Sequence, residues 1–185
     1  MIEVEPTALP EVKLIRTKAF ADSRGFFTET YNRQAFAAAG IMDDFVQDNF
    51  SLSVEPGTVR GLHFQSAPFE LAKLMRVGRG RILDVAVDLR RSSPTYGRHV
   101  AVELSAENRL QLLVPIGFAH GFCTLEPNCE VHYKVTAHYS PAHDLGLAWD
   151  DPALGIDWPV SPERAVLSDK DTKHPRLADL PAYFP

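Results

Sequence analysis

Short runs of alternating apolar and polar residues recur along the chain. In RILDVAVDL, Leu83, Val85, Val87 and Leu89 share one parity, and Asp84 and Asp88 the other. In HVAVEL, Val100, Val102 and Leu104 alternate with His99, Ala101 and Glu103. In NCEVHYKVT, Cys129, Val131, Tyr133 and Val135 alternate with Asn128, Glu130, His132, Lys134 and Thr136. RLQLLVP is similar and more apolar. A period of two predicts strands. VGRGR, RRSSPTYG and LEPN separate the runs, each with Gly, Pro or Asn for a turn. One helix is predicted over 33–39, with Asn32 at its N-cap and Gly40 at its end. From about Asp150 prolines accumulate, which predicts an irregular tail with one or two short helical turns.

No repeat, low-complexity tract or linker interrupts this pattern, so residues 1–185 are expected to form one domain. Many short strands with regular turns predict an all-β sandwich or barrel of two antiparallel sheets. A small barrel has an interior wide enough for one ligand. Polar residues on its inward faces are therefore the candidates for chemistry.

Several polar residues share a parity with apolar ones. Lys73 stands with Leu71, Met75 and Val77, either snorkelling to water at a strand end or held in a barrel mouth to meet negative charge. Tyr133 stands with Cys129, Val131 and Val135, as a core aromatic or as a proton donor. In TVRGLHFQ, a regular strand sends Arg60 and His63 to opposite faces, unless Gly61 marks a bulge that brings both inward. Spacing alone favours Arg60 in solvent. In PIGFAHGF, Pro115, Gly117 and Gly121 suggest a turn with His120 little shielded. In ADSRGFF, Arg24 and Gly25 read as a turn before Phe26 and Phe27. That turn either forms part of an anion site or precedes a core strand.

Composition narrows the partners. A net charge of −5 does not suggest nucleic acid, and an anionic ligand would need a local cluster of cations. Two cysteines are too few for a disulfide scaffold and point to a reducing compartment. The acidic opening MIEVEPTALP is unlike a signal peptide, and no apolar run is long enough to span a membrane. A cytoplasmic location is expected. His63, Glu70 and His120 are the one combination resembling a two-His, one-carboxylate metal site, but no His-x-His pair supports it. There is no P-loop, GxGxxG or GxSxG.

Taken together, DSRGFFTETYN, FVQDNFSLS, TVRGLHFQ, DVAVDLRRSSPTYG, PIGFAHGF, YKVTAHYSP and GIDWP…LSDKD resemble the dTDP-4-dehydrorhamnose 3,5-epimerase family, from about residue 10 to 175. The resemblance implies a cupin-type jelly-roll barrel that acts as a homodimer without metal or organic cofactor. It implies a dTDP-linked 4-keto-6-deoxy sugar as substrate, inverted at C3 and C5 through an enolate. By the same resemblance His63 is the base, Asp171 its orienting carboxylate, Tyr133 the acid on the other face, and Lys73 the cation near the C4 oxygen. Arg24, Phe27, Glu29, Gln47, Asn49, Arg60, His120, Tyr139, Asp144 and Lys170 match substrate contacts. Tyr139 is the candidate to stack on thymine, and Arg24 and Glu29 would reach the partner's site. Asp144 stands where Glu is common, which shortens its reach, and Asp169 adds a charge beside Lys170. The alternatives are an epimerase confined to C3 or C5, a metal-dependent cupin oxygenase, and a barrel that only binds nucleotide-sugars.

Overall fold

The computed structural model describes residues 2–185. Its strands are β1 (Ile2–Pro6), β2 (Lys13–Thr17), β3 (Ala19–Asp22), β4 (Gly25–Thr28), β5 (Gln47–Ser53), β6 (Val59–Gln65), β7 (Lys73–Arg79), β8 (Arg81–Asp88), β9 (His99–Ser105), β10 (Leu110–Val114), β11 (Phe118–Thr124), β12 (Cys129–Val135) and β13 (Asp144–Gly146). They form a six-stranded sheet in the order β1-β2-β10-β7-β12-β5 and a five-stranded sheet in the order β13-β6-β11-β8-β9. The pair β3-β4 stands apart as a hairpin. All pairs of named strands are antiparallel. This is the expected jelly-roll barrel of the cupin type.

The predicted helix is α1 (Arg33–Ala38). The Asn32 side chain accepts from the amides of Gln34 and Ala35 at 3.0 and 3.2 Å, and Gly40 follows with φ 82°. These are the N-cap and left-handed exit that end a short helix cleanly. Phe36 anchors the helix on the outer face of the six-stranded sheet, against Ile15, Leu74 and Leu113.

Apolar side chains fill one end of the barrel interior, among them Met75, Val77, Ile82, Ala86, Leu104, Leu112, Phe118, Phe122 and Val131. A second cluster lies outside the five-stranded sheet. There the tail lays Trp149, Leu154, Leu180 and Phe184 over Val59, Leu62, Phe64, Val85 and Val87. Each such side chain removed from water contributes about 1.5–3 kcal/mol. The tail is also stitched to the sheet by backbone bonds: Val59 donates to Val166, Val166 to Gly57, and Arg91 to Phe184. Its only helical elements among the described residues are 3₁₀ turns at Asp171–Lys173 and Leu177–Asp179, as expected.

This covering tail decides which parity of β8 faces inward. The apolar parity of β8 points outward to the tail, and Asp84 and Asp88 are fully buried rather than solvated. Asp88 accepts from Arg90, Ser93 and Thr95 and organises the loop after β8. The turn expected at PIGFAHGF is also shorter than the pattern suggested. From Phe118 onward this segment is the central strand β11, and His120 is buried.

Gly121 serves that strand, not a turn. Its Cα faces Gly61 of β6 so closely that a Cβ on Gly61 would lie 2.5 Å from it. Gly61 has φ 149°, a conformation that side chains disfavour. Here the register shifts: His120 pairs with His63, but Phe122 pairs with Arg60. Two steps along β11 thus span three along β6, the signature of a bulge. Val59 and Leu62 both pack outward under the tail, and Arg60 and His63 both turn to the interior cleft.

Candidate active site

The open end of the barrel holds two adjoining cavities of about 430 and 390 Å³. They share His63, Lys73, Tyr133 and Lys170, so they form one cleft. Arg60, His120 and Asp171 line one part, and Gln47, Asn49, Tyr139 and Asp144 the other. Eleven of the fourteen residues singled out in the sequence therefore meet in one place. Arg24, Phe27 and Glu29 line neither cavity. They belong to the β3–β4 hairpin and the residue after it. There Arg24 pairs with Asp22, and Glu29 accepts from Asn32. Phe26 and Phe27 are exposed, so the hairpin does not lead into a core strand of its own chain.

His63 comes from the five-stranded sheet, directly after the bulge. Its Nε2 lies 2.5 Å from Asp171 Oδ1, and Ser168 donates to Asp171 Oδ2 at 2.9 Å. With Nε2–H assigned to the carboxylate, Nδ1 keeps the free lone pair. Burial lowers the His63 pKa, outweighing the opposite pull of Asp171, so the ring is neutral and basic at neutral pH. Burial works against ionisation of Asp171 too. The imidazoles of His174 and His63 and the Ser168 hydroxyl outweigh it and hold the carboxyl well below its usual range.

The facing sheet supplies Lys73 and Tyr133. Val135 of β12 pairs with Lys73, and Tyr133 lies between Met75 and Asn49 in register. Lys73 Nζ donates to the His63 backbone carbonyl at 3.3 Å, which bridges the two sheets. Burial lowers its pKa to about 8, against the attraction of Asp144 and Asp84. Burial raises the Tyr133 hydroxyl above its ordinary value, so it stays protonated at neutral pH.

Arg60 crosses to the other sheet, donating from Nε to Ser53 Oγ at 3.0 Å and from Nη2 to the Leu52 carbonyl at 3.2 Å. It stands at the cleft mouth and not on a face turned away, which resolves the parity conflict in favour of a bulge. Lys170 pairs with Asp144, not with the neighbouring Asp169, and Tyr139 donates to the same Asp144 oxygen at 3.1 Å. Gln47 donates to Asn49 at 2.9 Å and accepts from the Tyr139 amide. Arg60, Lys73 and Lys170 bring three cations into the cleft, against the carboxylates of Asp144 and Asp171.

Sequence reasoning missed two residues here. Asp84, fully buried, holds His120 Nε2 at 2.6 Å from Oδ1, and its Oδ2 has no partner. The only signal was its parity with Asp88, which reads as a solvent face until the tail covers the opposite one. His174 lies beside Asp171, with Nε2 3.5 Å from Oδ1. Of the metal triad considered from sequence, Glu70 does not join His63 and His120. Among the described residues the grouped donors are His63, Asp171 and His174, within 4.8 Å of one another. His63 and Asp171 are already bonded together there. Among the described residues no helix is long and apolar enough to cross a membrane.

A family model described as dTDP-4-dehydrorhamnose 3,5-epimerase matches residues 6–179. The chain is 54% identical over 177 residues to the dTDP-4-dehydrorhamnose 3,5-epimerase of Sinorhizobium fredii, covering 96% of this chain and 90% of that one. It resembles the crystal structure of the Bacillus anthracis enzyme of that name with TDP and PPi bound, with TM-score 0.92, 49% identity, and coverage of 95% and 99% of the two chains. It also resembles the Legionella pneumophila dTDP-6-deoxy-D-glucose-3,5-epimerase in complex with dTDP-4-keto-L-rhamnose. There the TM-score is 0.93 and the identity 42%, with 98% and 96% of the chains covered.

Proposed function

The chain belongs to the dTDP-4-dehydrorhamnose 3,5-epimerase family, and from that premise we propose how its own residues carry out the reaction. It converts dTDP-4-dehydro-6-deoxy-D-glucose to dTDP-4-dehydro-L-rhamnose by inverting C3 and C5. Both carbons flank the C4 ketone, so their protons are the acidic ones. His63 Nδ1 removes a proton, and the resulting imidazolium keeps its Nε2–H on Asp171. The electron pair moves into the enolate, and negative charge gathers on the C4 oxygen. The Lys73 ammonium meets that charge where it develops. Tyr133 returns a proton from the opposite face, which inverts the carbon. Lys170 and Arg60 take the pyrophosphate, Tyr139 stacks on the thymine, and Gln47, Asn49, His120 and Asp144 orient the substrate.

One observation carries this reading: a carboxylate-backed imidazole and a phenol lie on facing sheets of one cleft, with a half-buried lysine bonded across it to the His63 carbonyl. Turnover in deuterated water tests it. Deuterium is expected at both C3 and C5 of the product. Exchange at a single carbon would instead mark an enzyme confined to that carbon.

The same proposal includes a single domain, a cytoplasmic location and a homodimer. What supports the dimer is an inverted pattern on the edge strand β5. Its inward residues Gln47, Asn49, Ser51 and Ser53 are polar, whereas Phe50 and Leu52 are exposed. The β3–β4 hairpin adds exposed Phe20, Phe26 and Phe27. Large exposed apolar side chains grouped on two such elements are what an interface between copies would cover. A second copy covering it would bring Arg24, Phe27 and Glu29 toward the neighbouring cleft. Sedimentation equilibrium is expected to give twice the mass of one chain, and a fully active monomer would remove this part of the proposal.

A further inference from the structure

Among the described residues His174 is a largely buried histidine, set behind Asp171 of the cleft, that the reaction as described leaves without a task. It follows the 3₁₀ turn carrying Asp171, and its side chain is largely buried. Its Nε2 has no hydrogen-bond partner. The ring packs edge-on to His63, with centroids 5.5 Å apart and planes at 75°. Both imidazoles present Nε2 to the same atom: Asp171 Oδ1 is 2.5 Å from His63 and 3.5 Å from His174. The other carboxylate oxygen is held by Ser168.

The seat for this ring is specific. Gly146 of β13 pairs with His63, and a Cβ at Gly146 would fall within the His174 ring. The strand beside the base thus omits a side chain where the second imidazole lies. A bare Nε2 lone pair facing a carboxylate oxygen would be repelled, so the tautomer that fits carries its proton on Nε2. At 3.5 Å this is not a formed hydrogen bond in the resting site. It is a donor without a partner, aimed at the oxygen that must stay ionised while His63 becomes an imidazolium.

We propose that His174 is a positioning residue for the epimerisation, whose Nε2–H keeps the Asp171 carboxylate ionised and directed at His63. It acts through Asp171 and does not touch the sugar. The inference rests on His63 being the base.

Three variants test it. His174→Phe keeps an aromatic ring in the seat but has no donor. His174→Gln loses the ring but can present an N–H at similar reach. For His174→Phe we expect kcat to fall about 10- to 100-fold, the scale for residues that act through another ligand. KM should hardly move. His174→Gln should recover most of that loss. Gly146→Ala leaves His174 intact but crowds its ring from the seat, and should lower kcat in the same way; it carries the test if His174→Phe does not fold. Full turnover in folded His174→Phe or in Gly146→Ala would overturn the proposal. So would a folded His174→Gln as impaired as the Phe variant, because bulk and not the donor would then matter. His63→Ala separates the two layers. If it turns over normally, the assignment of the base fails; if it is inactive while His174→Phe is normal, only the role of His174 fails.

Discussion

His63→Ala is expected to lower kcat by about 10²- to 10⁴-fold, the contribution of a positioned general base, while dTDP still binds nearly as it does to the intact protein. The asymmetry follows from the layout of the cleft. Asp171, which holds His63, lines one cavity and Gln47, Asn49, Tyr139 and Asp144 line the other, with His63 shared between them. Deleting the imidazole removes an interaction made as the proton leaves carbon and spares the groups assigned to the nucleotide. Such a change appears in kcat and kcat/KM together. Calorimetry with dTDP and a steady-state assay with the 4-keto sugar measure the two halves. A variant that turns over like the intact protein would leave a barrel that merely binds nucleotide-sugars. One that loses dTDP as well would move His63 out of catalysis and into binding.

Lys73→Met should cost about 10²- to 10³-fold in kcat, the usual consequence of removing one donor aimed at a developing oxyanion. Methionine keeps the length and apolar stem of the side chain, so packing beside Met75 is little disturbed. The more distinctive result lies in the pH profile of kcat/KM. Burial lowers the Lys73 pKa to about 8. The cation is present below that pH and lost above it, so the rate falls on the alkaline side as pH rises through about 8. His63 is needed neutral, and burial lowers its pKa from that of a free imidazole. The rate therefore falls on the acid side only below the range of a free imidazole. Tyr133, raised by burial from the ordinary phenol value, does not limit the range. A plateau between the two limbs is expected for the intact enzyme, and loss of the alkaline limb in Lys73→Met. An alkaline limb that persists unchanged in the variant would assign it to another group.

Much of the barrel was legible because strand burial imposes a period of two. The runs at β8, β9, β10 and β12 mark themselves in this way, and the capped helix and irregular tail follow from local residue chemistry. The inward faces of β7 and β12 were legible too. Lys73 and Tyr133 share a parity with apolar neighbours, and both enter the cleft. What local pattern left ambiguous was their purpose, since a snorkelling lysine and a core tyrosine leave the same trace. The resemblance across seven segments broke that tie for the residues it covered. It said nothing of Asp84 or His174, whose importance depends on what lies across the barrel or at the other end of the chain.

The sequence by itself determined the strands, the turns, the helix cap and the set of residues matched to chemistry, because periodicity and capping are local and a family pattern is written in residue order. Only the tertiary structure decided which side of each strand became the inside. The tail buries the valines of β8 outward, so its aspartates take the opposite, buried side, Asp84 against His120 and Asp88 against Arg90, Ser93 and Thr95. The close approach of Gly61 and Gly121 admits one extra residue in β6, which turns Arg60 and His63 into the same cleft. The return of the tail joins Asp171 and His174 to a histidine more than a hundred residues earlier. Parity along a strand is a property of neighbours in sequence, whereas burial is set by whatever packs against the strand, and that is known only once the chain has closed on itself.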